Sequence, residues 1–176
     1  MTSAAPGMAD PPAPAPTSRR TGLRLALSAV ALVEAWFGLS DMPVLFGDMS
    51  HIADGLGGGL IKANLALHPV LAVAALAFAA MGRVRHAIVA LGTVIIMVWL
   101  SDMPSIVAHG FDLRGTFSAA ETMARIVAFP LIAACAIAYA AHDEHLGRAT
   151  FLAAVPALFN VVMIVGFAVS VMIYGF

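Results

Sequence analysis

The 176-residue chain has room for one domain and is 61% hydrophobic with 11% charged residues, under half the charged share of a typical soluble domain. Its formal net charge of −1 gives no ground for a nucleic-acid partner, and its one cysteine, Cys135, excludes a disulfide framework or a thiolate metal cluster. A mean hydropathy of +0.95 instead makes the lipid bilayer the expected partner.

In chain order, residues 1–21 are rich in Ala and Pro, cannot bury apolar surface, and are expected to form a disordered cytoplasmic tail. Within it, Ser18-Arg19-Arg20-Thr21-Gly22-Leu23-Arg24 resembles a twin-arginine export signal, with Gly22 where an aromatic is usual. Cleavage would then follow a site such as Val33-Glu34-Ala35, although the repeat described below favours a retained first span. Five apolar stretches follow, at about 23–46, 60–81, 86–107, 121–141 and 150–174, each near or above the roughly 20 residues that cross a bilayer as helix. The predicted fold is an all-α integral membrane protein of five transmembrane helices.

Two copies of Leu-Ser-Asp-Met-Pro, at 39–43 and 100–104, lie 61 positions apart. The same offset places Pro69 on Pro130 and Arg24 on Arg85 without a gap. This predicts two tandem hairpins, 22–82 and 83–143, running in parallel, with a fifth helix in 144–176. Arg19, Arg20, Arg24, Arg83, Arg85 and Arg148 fall at one set of ends, and Asp41, Asp48, Asp54, Asp102 and Asp112 at the other. The positive-inside rule then puts the N-terminus in the cytoplasm and Phe176 outside, in a bacterial inner membrane.

Ionisable groups inside spans are costly, so they carry most information. Glu34 lies about eleven residues into the first span, near 16 Å deep at roughly 1.5 Å per residue. It shares a helix face with Gly38 and Asp41. Asn160 and His68 reach similar depths from their own ends, so the three meet if the helices pack suitably. In the second half Glu34 aligns with Ile95 and His68 with Phe129, so only one half carries the polar groups. Two readings stay open: a proton or cation path through Glu34, Asp41, His68, Asp102 and Asn160, or polar glue between helices.

Asp41 and Asp102 have a further structural reading, each capping a short helix that restarts at Met-Pro. They also suit a paired-carboxylate site answered by Arg125 or Lys62. Beyond the motifs, Asp48 with His51 and His109 with Asp112 repeat an i, i+3 spacing. If those loops converge, they offer zinc or manganese two histidines and two carboxylates, whereas Met42, Met49 and Met103 would favour copper. A solvated loop explains the same residues. Gly55-Leu56-Gly57-Gly58-Gly59 is expected to be flexible and lacks the continuation of a phosphate loop. His142-Asp143-Glu144-His145 reads as a polar turn, and Trp36, Trp99 and Tyr174 as interfacial anchors.

No nucleophile–base pair has the sequence context of a hydrolase, so the chain does not read as an enzyme. The expected function is a small carrier or permeation subunit for protons or a divalent metal cation. A membrane subunit of a redox complex holding haem or quinone is the rival, and a non-catalytic assembly or interaction protein the third reading. Other membrane subunits or further copies in a homo-oligomer are the remaining expected partners.

Overall fold

A computed structural model describes residues 17–47, 49, 52, 55–111, 113, 116–142 and 145–175. Helix α1 (Thr17–Ser40) is followed by a short α2 (Met42–Phe46), then α3 (Leu56–Ala80) and α4 (Val84–His109). The fourth span is built from α5 (Thr116–Met123), one π-helical turn (Ala124–Ala128) and α6 (Phe129–Ala141), and α7 (Leu146–Tyr174) closes the chain. Among the described residues there is no strand, and five helices are long and apolar enough to cross a membrane, as in a multi-pass membrane protein.

The observed ends depart from the expected ones for local reasons. Helix α1 begins at Thr17, inside the segment expected to be disordered. Between Pro16 and Pro43 the sequence contains no proline to interrupt it. Helix α3 takes in Leu56 to Gly59, so these glycines form its first turn instead of a flexible lead. A Cβ on Gly57 would fall 2.9 Å from the Cβ of Pro104, so the missing side chain lets α3 lie close against α4.

The helices pack in a ring: α1 packs on α3, α3 on α4, α4 on α6, α6 on α7, and α7 returns to α1. Helix α4 also touches α1 and α7 across the centre, which makes it the most enclosed span. The seams of α3, α6 and α7 are rich in small residues, which let neighbouring helices approach closely. Ala72, Ala75 and Ala79 on α3 are fully buried, and so are Ala133, Ala136 and Ala140 on α6, 61 positions later. Ala149, Ala153 and Ala157 play the same part on α7.

The two pentapeptides, identical in sequence, fold differently. In the first, α1 stops at Ser40 and Asp41 makes a turn, its N–H bonding Phe37 O at 3.2 Å and its carbonyl accepting from Val44 N at 3.0 Å. In the second, α4 continues through Asp102 and Pro104 to His109. The capping expectation therefore fails for Asp102, which lies within a helix. For Asp41 the position is right, but its side chain makes no cap hydrogen bond.

Candidate functional site

Glu34 faces inward because α1 sets it one turn before Gly38 on the side that meets α3. Gly38 makes that meeting close. A Cβ there would lie 2.9 Å from Pro69 Cα and 3.2 Å from the His68 ring, so only glycine allows this approach without displacing backbone. The result is a Glu34 Oε2 to His68 Nε2 separation of 3.4 Å, with both residues only 7% exposed. That distance suffices for electrostatic pairing, but His68 Nε2 is not aligned for a hydrogen bond. The pair is close yet not locked.

It borders a cavity of about 370 Å3, reached by side chains from every span. All five residues expected on a path, Glu34, Asp41, His68, Asp102 and Asn160, line it. A small annex of about 40 Å3 shares Glu34, Asp102, Arg125 and Asn160 with the main cavity. At one end the lining reaches exposed Ser40 and Asp41. Toward the arginine-bearing ends of the helices lies a fully buried apolar layer of Leu27, Ile88, Leu91 and Val94. Two further wall atoms, Asn64 Oδ1 and Asn160 Oδ1, are buried with no hydrogen-bond partner among the described residues. The cavity thus carries polar groups on partly apolar walls and is far larger than the roughly 10–15 Å3 that admits one water.

The second half supplies a different wall. Pro130 has no N–H for the Ile126 carbonyl four residues before it. The chain there widens into the π-helical turn, with Phe129 N bonding Ala124 O. Trp99 Nε1 donates to the freed Ile126 O at 3.0 Å, a bond that the reading of Trp99 as an interfacial anchor did not include. Trp36 and Tyr174 remain highly exposed. Arg125 sits in the π-helical turn, a feature often found at functional sites, and pairs with Glu121 at 3.0 Å while lining the cavity.

Asn64, Ser40, Ser101 and Trp99 were not among the expected site residues. Asn64 had a usable signal, since it precedes His68 by one helical turn and aligns with Arg125. Of the four metal candidates, Asp48, His51 and Asp112 lie outside the described residues. His109 is exposed, with its Nδ1 able to donate to Ser105 O at 3.2 Å. Among the described residues, no three His, Cys, Asp or Glu side chains cluster as a metal site. His68 is the one histidine among those lining the cavity, so these walls supply a haem iron with at most one imidazole.

Comparison of the chain with protein-family models, with curated proteins and with solved structures finds no match.

Proposed function

We propose that the chain is a small membrane carrier or permeation subunit for protons or a divalent cation, with Glu34 and His68 as its deep binding point. The observation that carries this is the buried acid–base pair at 3.4 Å on a polar cavity inside an apolar bundle. A carboxylate in hydrocarbon is costly, and structural glue alone would be served by a neutral amide. Glu34, Asp41 and Asp102 give the cavity three carboxyl groups against one arginine, Arg125, which favours a cationic occupant. A proton arriving at Asp41 or Asp102 passes along the polar wall and is held between Glu34 Oε2 and His68 Nε2. The apolar layer beyond them blocks a continuous pore, so passage requires that layer to open in a second conformation.

The architecture behind this reading is a duplicated hairpin. Its support is the ungapped pentapeptide register and the fully buried alanine triplets that recur at the same 61-residue offset. The first copy keeps the acid and the imidazole, and the second serves as the opposing wall. The same reading places the arginine ends in the cytoplasm of a bacterial inner membrane and Asp41, Asp102 and the C-terminus outside.

The test is flux in proteoliposomes carrying an internal pH dye or a metal-sensitive dye. Glu34→Gln keeps shape but not charge and should reduce flux to that of empty vesicles. Undiminished flux would make Glu34 structural. A pH response without a zinc or manganese response would assign the proton as the cargo.

A further inference from the structure

At the opposite end of the bundle, the start of α1 and the α3–α4 connection enclose an open pocket of about 690 Å3. Arg20, Arg24, Arg83, Arg85 and His86 line it, and none of its described lining residues is a carboxylate. We propose that this pocket binds a phosphate group, as the headgroup of an anionic lipid or as a free phosphate anion.

Three features separate it from a scatter of interfacial arginines. First, Arg24 is fixed: its guanidinium donates to Ala80 O at 2.6 Å, and Gly82, at φ +76°, turns the chain across its side chain. Second, Arg20, Arg83 and Arg85 are exposed and form no ion pair among the described residues, so their charges are not spent on protein carboxylates. Asp143 and Glu144 lie outside the described residues. Third, the pocket contains the N-terminus of α4, a helix of 26 residues with no acidic residue in its first turn and no side-chain cap. The N–H groups of Val84, Arg85 and His86 precede the first helical hydrogen bond, Ala87 N to Arg83 O at 3.1 Å. Arginine forks and free helix-end amides together present donors suited to phosphate oxygens. Basic pockets between spans on the cytoplasmic side are a known form of anionic headgroup site.

The experiment uses the full chain in a zwitterionic micelle and reads retained lipid by native mass spectrometry. Wild-type protein should retain phosphatidylglycerol in preference to phosphatidylcholine. Arg83→Gln combined with Arg85→Gln should weaken that retention by about thirtyfold, and Arg20→Gln alone by about fivefold, at roughly one arginine's attraction each. Arg20→Gln lies at the exposed start of α1 and keeps the test open if the double variant does not fold. Arg148→Gln removes a positive charge from the same end but outside the pocket and should change nothing. Millimolar inorganic phosphate that raises the Tm of wild type but not of Arg20→Gln, without lipid preference, assigns the site to a free anion. Unchanged retention in the arginine variants, an equal loss in Arg148→Gln, or no response to either probe overturns the proposal.

Discussion

The α1–α3 contact and the α4–α6 contact involve residues 61 positions apart in the sequence, yet they are built oppositely. In the first, Gly38 brings the backbones together at Pro69, and Glu34 and His68 pair in the space beside it. In the second, the aligned positions hold Trp99, Ile95 and Phe129, and the indole reaches the carbonyl that Pro130 leaves without a partner. The second contact solves a packing problem with apolar surface and one neutral hydrogen bond. The first holds two ionisable groups, Glu34 and His68, and the positions 61 residues later hold Ile95 and Phe129. The proposed function rests on this difference between the two contacts.

The comparison can be broken most strongly by moving residues from one half to the other. His68→Phe alone leaves the buried Glu34 side chain without its polar neighbour and should cost about 3 kcal/mol, as an unsatisfied buried polar group does. Glu34→Ile with His68→Phe installs the second half's residues on both sides and should recover stability to within about 1 kcal/mol. Denaturant unfolding in micelles measures both, and flux in the double variant should be absent despite its recovered fold. A double variant that stays as unstable as the single one would show that the halves are not interchangeable frames.

Smaller effects sharpen the same contrast. Gly38→Ala places a methyl group 2.9 Å from the Pro69 backbone and should destabilise by about 1–3 kcal/mol through overpacking. If it proves neutral by thermal unfolding, the close approach of α1 and α3 is not tight. Trp99→Phe leaves Ile126 O without its donor and should cost about 1–3 kcal/mol, the usual penalty for an unsatisfied buried group. Hydrogen exchange at the π-helical turn should rise in this variant.

The five long apolar helices were legible because apolar length alone reports them, and counting residues at a fixed rise put Glu34, His68 and Asn160 at matching positions along theirs. The three were expected to meet only if the helices packed suitably, and all three line one cavity. What counting could not supply was the path of the backbone near prolines. Pro43 coincides with a break after α1, whereas Pro104 is carried inside α4, although both close the same pentapeptide. The Trp99 bond was not legible because its amphipathic ring reads equally well as an interfacial anchor. The clue to its role was remote, in Pro130, which deprives Ile126 of a donor.

The smallest expected effect concerns Asp41, and it decides what the repeated motif means. A side-chain N-cap typically contributes about 0.5–2 kcal/mol, and its loss on substitution by alanine is measurable. Asp41 stands before α2 with Pro43 in the first turn, but no cap hydrogen bond forms, and the residue is exposed. Asp41→Ala should therefore change unfolding stability by no more than about 0.5 kcal/mol, as surface substitutions do. Flux should nevertheless fall, because the carboxylate lines the open end of the cavity. A stability loss near 1 kcal/mol with flux intact would return Asp41 to the capping role. The opposite pattern separates the chemistry of the aspartate from its place in a helix break that Asp102, inside a continuous helix, does not share.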